Sequence, residues 1–352
     1  MNEKQFIDIF INPLHGDKIY LSEIKKNIYD EILDLTNRFC IPNQILNNLD
    51  YDRNIENQLI AGLKKQSDLS NLKNLINQKD LLRITKVFNE NGLEHVFLKG
   101  SAINVYVSNY VRHSRDIDVL VNKESLARAY ELLKGIGFKY MNTLVSDNAR
   151  FTNYKHHLPV LVNDEGTLVE LHHRVTAIES YKDCPLTESI LHKKINMQWH
   201  DVDIKVPDIN NLIAHITYHA ALLHNFNLGP VFLYDIKYLR NIVDNEKDLM
   251  SLLLKIDLHR DYKKIIRYID VKNLSDTFNI YFKSNLKKHN RENPRTFNYF
   301  LFKREGRLEF LKLIPKKLKK NQDLYQTSKY SLKFYFILFI ELKNRILNLP
   351  KH

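Results

Sequence analysis

Residues 96–121, VFLKGSAINVYVSNYVRHSRDIDVLV, constrain this chain more than any other stretch. Val96 to Leu98 reads as a short apolar strand running into Lys99-Gly100-Ser101, and a helix-like stretch then leads to Asp116-Ile117-Asp118. Along a strand, residues two apart share a face. Asp116 and Asp118 therefore project together, while Ile117 and Val119 face the other way into a core. Two carboxylates held side by side repel, and a divalent cation offsets that repulsion. A glycine turn that opens a helix presents backbone N–H groups to a phosphate. Gly100 permits close backbone approach at such a turn, and Ser101 is placed to cap the helix and hydrogen-bond a phosphate. A phosphate cradle beside metal-binding carboxylates points to nucleotide chemistry.

The surroundings of this stretch divide the chain into three. Residues 1–90 read as a helical region, with Ile24, Ile28, Ile32 and Leu35, then Leu69, Leu72, Leu75 and Leu82, at three- and four-residue spacings and Pro42 interrupting. From 91 to 206 glycines appear at 92, 100, 135, 137 and 166, and strand-like segments alternate with helices. The spacing predicts a loop and strand over 92–98, a helix over 102–110, a strand over 117–121 and a helix over 123–134 ended by Gly135 and Gly137. Further strands are expected at 138–145, 157–163, 167–172 and 202–206, with Asn163-Asp164-Glu165-Gly166 as a hairpin turn. Residues 207–352 turn helical again, with segments at 209–223, 231–243 and 247–256. This is a mixed α/β core with a partly antiparallel sheet.

The glycine–serine turn followed by two spaced aspartates resembles the signature of the polymerase-β-like nucleotidyltransferase superfamily. Here it reads Leu98-Lys99-Gly100-Ser101, fourteen residues, then Asp116-Ile117-Asp118-Val119. LKG, Arg112 four residues before the first aspartate, DIDVLV, the later VELHHR, the helix LIAHITYHAALLH and the segment GPVFLYDIKYLR look like the bacterial "uncharacterised nucleotidyltransferase" family of that superfamily. The resemblance covers about residues 80–240. It implies an α+β fold in which a polymerase-β-like core sheet is flanked by helices, with helical N-terminal and C-terminal regions. It also implies two-metal nucleotidyl transfer, in which three carboxylates hold two Mg²⁺ (or Mn²⁺) roughly 3.5–4 Å apart and an NTP is the substrate. Asp116 and Asp118 map onto the first two ligands, and Glu170 in the strand T-L-V-E-L-H is the candidate third. Lys99, Arg112 and Arg115 are candidates to counter triphosphate charge. The chain departs from the superfamily pattern at three points: Lys99 stands where many members have the first of two glycines, the gap before Asp116 is about one residue longer, and the third carboxylate is Glu where Asp is commoner.

Charge bears on the acceptor. Residues 251–352 hold 24 Lys/Arg against 9 Asp/Glu, whereas the rest holds 29 against 32, so the whole positive excess lies in the last hundred or so residues. Such a region suits RNA or another acidic partner, or else a solvated helical face. The acceptor of the transferred NMP is open among a small molecule, a peptide or protein hydroxyl, and an RNA end. The alternative function is a catalytically silent nucleotide- or RNA-binding module. His215 and His219 have i, i+4 spacing but no completing ligand nearby, and read as packing or pocket histidines. His172 shares the face of Glu170 and is expected only as a supporting neighbour of the metal ligands. The aromatic run 334–339 reads as part of a buried terminal helix. Two cysteines, Cys40 and Cys184, make no disulfide framework, and without a signal-peptide pattern or a spanning apolar run a cytoplasmic protein is expected.

Overall fold

The computed structural model describes residues 3–52, 57–107, 110–141, 156–177, 184–224, 226 and 229–271. Most of the basic C-terminal third, together with the aromatic run at 334–339, lies outside these described residues. The N-terminal part is helical apart from one short strand pair: α1 (Glu3–Phe10), β1 (Ile19–Tyr20), α2 (Tyr29–Phe39), α3 (Pro42–Asn48), β2 (Leu49–Asp50) and α4 (Gln58–Glu90). Pro42 starts α3 rather than breaking a helix, because a proline in the first turn lacks only an N–H that has no helical partner anyway. Asn57 caps α4 by accepting from the Leu59 amide at 2.8 Å.

The sheet follows: β3 (His95–Phe97), α5 (Lys99–Tyr106), β4 (Asp116–Val121), α6 (Leu126–Gly135), β5 (Lys139–Tyr140), β6 (Leu161–Val162) and β7 (Leu168–His172). Its strand order is β3-β4-β7-β6-β5, with β4 and β7 parallel and every other pair antiparallel. A parallel pair needs a crossover, and α6 with the β5–β6 strands supplies it. The 163–166 turn forms as expected. Gly166 has φ +77°, a left-handed value that suits glycine, and Asn163 Oδ1 accepts from the Thr167 amide at 2.8 Å. The strand expected over 138–145 is confined to Lys139–Tyr140 among the described residues, and that over 157–163 to Leu161–Val162 plus a bridge between His157 and His172.

After α7 (Leu186–His192), an unforeseen strand β8 (Lys194–Trp199) pairs with β9 (Val202–Pro207). Their turn places His200 at φ +46° and Asp201 at φ +60°. Two positive values suit a tight hairpin turn, but neither residue is the glycine or asparagine that announces one in sequence. Helix α8 (Ile209–Tyr218) passes into a π-helical turn at His219–Leu223, followed by α9 (Val231–Arg240), α10 (Glu246–Lys255) and α11 (His259–Asp270). One buried apolar cluster runs from Ile7 in α1 through Phe88, Val119 and Leu171 to Ile265 in α11.

Helix α4 departs from its expected burial. Leu69, Leu72 and Leu75 are exposed, whereas Ser67, Ser70, Asn74, Asn77 and Asp80 face inward. The inner face meets the irregular segment leading into β4, whose backbone groups need partners. Asn77 Nδ2 donates to the Ser114 carbonyl at 3.0 Å, Asn74 Nδ2 to the Arg112 carbonyl at 3.3 Å, and Asn74 Oδ1 accepts from the Ser114 amide at 3.3 Å. Farther along, Asp80 accepts from Asn163 Nδ2 at 2.6 Å and pairs with Arg83 at 2.8 Å, tying the hairpin to the helix. Leucines on this face would leave those backbone groups unsatisfied.

Candidate active site

The site is built where β4 and β7 run side by side. Their register sets Asp118 opposite Glu170 and Leu120 opposite His172. By strand alternation Asp116 and Asp118 share one face, while Ile117, Val119, Val169 and Leu171 are fully buried on the other. Helix α5 begins at the end of β3, and the Leu98 amide donates to the Asp118 carbonyl at 2.9 Å, which fixes the turn against the acidic strand. The helix starts earlier than expected, at Lys99, and ends at Tyr106. Its cap position is Leu98, with no side-chain cap bond, so Ser101 lies inside the first turn and does not cap. The first amides of a helix lack intrahelical acceptors, so the turn at 99–101 presents N–H groups.

Lys99 lies in the left-handed region at φ +46°. Its ammonium is 2.6 Å from Asp118 Oδ1 and 3.8 Å from Glu170 Oε2. His172 Nε2 reaches the same two oxygens, at 2.8 Å and 3.4 Å. Asp118, Glu170 and His172 thus form a compact group able to hold a metal ion, their ligand atoms all within 4.8 Å of one another. Asp116 stands outside that compact group. His172, expected only as a supporting neighbour, is inside it, because the regular strand brings it to the Glu170 face one rung further on. The sequence carried this signal in the parity of E-L-H, but not the distance.

The electrostatics follow from this crowding. Burial, reinforced by the charges of Asp118 and Glu170, pushes the Asp116 carboxyl up to about 6. Burial also acts to raise Asp118, but the Lys99 ammonium and the His172 ring outweigh it and hold that carboxyl well below the ordinary range. Glu170 is lowered against its own desolvation, chiefly by its hydrogen bond from His172. His172, though desolvated, is raised by the bonds it gives to Asp118 and Glu170. Around it stand more histidines: the His156 and His157 rings lie 5.8 and 5.1 Å from His172. Burial and then Lys99 depress His215 to about 3, and burial depresses His219 strongly. His219, in the π-helical turn after α8, has its Nε2 3.3 Å from His224 Nε2, and burial and the nearby Lys99 ammonium keep His215 and His219 neutral.

The other expected residues are engaged elsewhere. Arg112 Nε donates to Asp235 at 2.9 and 3.2 Å, and the Tyr110 hydroxyl donates to the same carboxylate at 2.9 Å. This buried cluster fastens the segment before β4 to α9, and occupies the Arg112 edge that a phosphate would meet. Arg115 donates to the Asn37 and Arg38 carbonyls at 3.0 and 3.2 Å, satisfying the C-terminal end of α2. Gly100 is required by a different neighbour from the one expected: a Cβ there would lie 2.7 Å from Ser114 Oγ and 2.8 Å from Ser114 Cβ.

The donor set fits a divalent cation: two carboxylates and an imidazole converge, a third carboxylate lies on the same face, and His172 Nδ1 is buried with no partner among the described residues. Residues 42–271 match the family described as uncharacterised nucleotidyltransferase. The chain belongs to that family. Among solved structures, this nucleotidyltransferase-family chain is similar to an antigenic nucleotidyltransferase-like protein from Paracoccidioides brasiliensis, with 13% identity over 58% of this chain and 94% of that chain, at a TM-score of 0.34. No curated protein matches it. Membership supports a transferase of nucleotidyl groups as the general class of this family member. No helix among the described residues is long and apolar enough to cross a membrane.

Proposed function

We propose that the chain is a metal-dependent nucleotidyltransferase with a polymerase-β-type core, moving an NMP from an NTP to an acceptor hydroxyl with release of pyrophosphate. The observation that carries this reading is the parallel register of β4 and β7, which sets Asp118 opposite Glu170 on the face shared with Asp116, beside the glycine–serine turn that opens α5. Asp116, Asp118 and Glu170 would hold the Mg²⁺ ions, with His172 as a further donor. When bound, such ions polarise the acceptor hydroxyl and offset the triphosphate charge. The α5 amides at 99–101 bind phosphate oxygens. His172 and Lys99 keep the carboxylates ionised and in register. The new bond joins the acceptor oxygen to the α-phosphorus, the bond from that phosphorus to the pyrophosphate oxygen breaks, pyrophosphate leaves with that electron pair, and the hydroxyl proton passes to solvent. On this reading the core at 91–206 carries the chemistry, and the basic region within 207–352 favours RNA or another acidic acceptor over a neutral one.

The test is incubation with labelled NTPs, Mg²⁺ and pools of small molecules, protein and RNA. Label transfer that disappears in Asp118→Asn and with EDTA supports the reading, and transfer that persists in the variant removes the proposed site. A second reading, a catalytically silent nucleotide- or RNA-binding module, is favoured by the lysine ammonium seated at the acidic centre. Calorimetry separates the two, since a silent module binds nucleotide with the same affinity with and without Mg²⁺.

A further inference from the structure

We propose that Lys99 is the resident cation of the acidic centre, its ammonium taking the place between Asp118 and Glu170 that one ion of a two-metal site would occupy, so that the nucleotide-free protein binds a single divalent ion. This rests on the reading that these carboxylates bind metal, and departs from the two-ion expectation.

Three observations carry it. First, the Lys99 ammonium contacts Asp118 at 2.6 Å and reaches Glu170 at 3.8 Å, the bridging position between the paired residues of two neighbouring strands. Second, the side chain is only 19% exposed and has these acids as its surroundings, so the charge is a fixed part of the site rather than a passing surface contact. Third, Lys99 holds φ +46°, a conformation that favours glycine. A lysine standing there at a conformational cost points to a use for its ammonium. A divalent ion bridging Asp118 and Glu170 would also stand close to the ammonium, and like charges at such separation repel strongly in a buried site.

The experiment counts Mn²⁺ bound to the full chain without nucleotide, by titration calorimetry and by the spin resonance of unbound Mn²⁺, in wild type, Lys99→Arg, Lys99→Met and Lys99→Gly. Lys99→Gly suits the left-handed backbone, so it keeps the test open if Lys99→Met folds poorly. The expected result is one Mn²⁺ per chain for wild type and Lys99→Arg. The neutral variants are expected to bind two, or to bind the first at least tenfold more tightly. A thermal melt gives a second readout: the neutral variants should melt lower than wild type in EDTA and gain more from Mn²⁺ than wild type does. Two ions in wild type, or neutral variants indistinguishable from it, overturn the role of Lys99 and leave metal binding by the acids intact. No Mn²⁺ in any variant overturns both this inference and the metal-dependent function beneath it.

Discussion

Gly100→Ala tests how the turn before the acidic strand is assembled. The added Cβ would sit 2.7 Å from Ser114 Oγ and 2.8 Å from Ser114 Cβ, against ordinary contact from 3.4 Å. Ser114 must therefore recede by about 0.7 Å in a close-packed interior. It has little freedom to do so. Its Oγ donates to the Asp116 carbonyl at 2.7 Å, its carbonyl accepts from Asn77 at 3.0 Å and its amide donates to Asn74 at 3.3 Å. Overpacking of this kind costs about 1–3 kcal/mol. Alanine recovers part of that, since glycine in a helix interior is about 1 kcal/mol worse, and less in a first turn. The net expectation is a loss of ~1–2 kcal/mol in urea unfolding. Ser114→Gly removes both clashing atoms and costs roughly 1 kcal/mol for the lost hydroxyl bond. In the double variant, Gly100→Ala should become neutral or stabilising, giving a coupling of about 1–3 kcal/mol in the mutant cycle. A coupling within ~0.5 kcal/mol of zero would refute the claim that Ser114 is why this position is glycine.

Three further outcomes are expected. Arg112→Met leaves the Asp235 carboxylate buried with only Tyr110 as partner, so stability should fall by about 3–5 kcal/mol in denaturant unfolding, and Arg112→Met/Asp235→Leu should recover most of it. Asn77→Leu gives α4 a more apolar inner face yet should destabilise by ~1–3 kcal/mol, because the buried Ser114 carbonyl loses its donor; a stabilised variant would show that the polar stripe is not structural. His95 is fully buried between Phe88 and Phe97, and desolvation depresses its pKa to about 4. The folded value lies below the unfolded value of 6.5, so unfolding takes up a proton between them, and stability is lost as pH falls from about 6.5 towards about 4. The full contribution is about 3 kcal/mol, and His95→Phe should flatten the acid limb of the stability profile by close to one proton.

The acidic centre was legible in the sequence to the extent that strand alternation governs it. Period two put Asp116 beside Asp118 and Glu170 beside His172, and the Asn163–Gly166 turn set β6 against β7. The parallel register of β4 with β7 was not legible, because nothing local in either strand encodes which neighbour it takes or at what offset. Helix α4 shows a different limit. Spacing announced a helix, but the buried face is chosen by what it packs against. Here that is the backbone of 112–114, so asparagines point in and Leu69, Leu72 and Leu75 point out. The cations show a related limit of the sequence. The residue types of Lys99, Arg112 and Arg115 suit a triphosphate, but a protein must also satisfy its own carboxylates and helix-end carbonyls, and in the structure each has an internal partner that nothing local announces.

That internal demand also explains the site's composition. Carboxylates crowded on one face repel, and removing them from water makes an uncompensated cluster costly. Burial and the charges of Asp118 and Glu170 lift Asp116 to about 6 against the pull of Lys99 and Arg112, whereas Asp118, gripped by Lys99 and His172, stays ionised despite complete burial. Two acids on one strand are therefore shifted in opposite directions, because Asp118 is in direct contact with Lys99 and His172 and Asp116 is not. Lys99 and His172 supply the contacts that hold Asp118 and Glu170 together. The lysine in a left-handed turn and the histidine two residues past Glu170 then have a single physical cause, the negative charge between them.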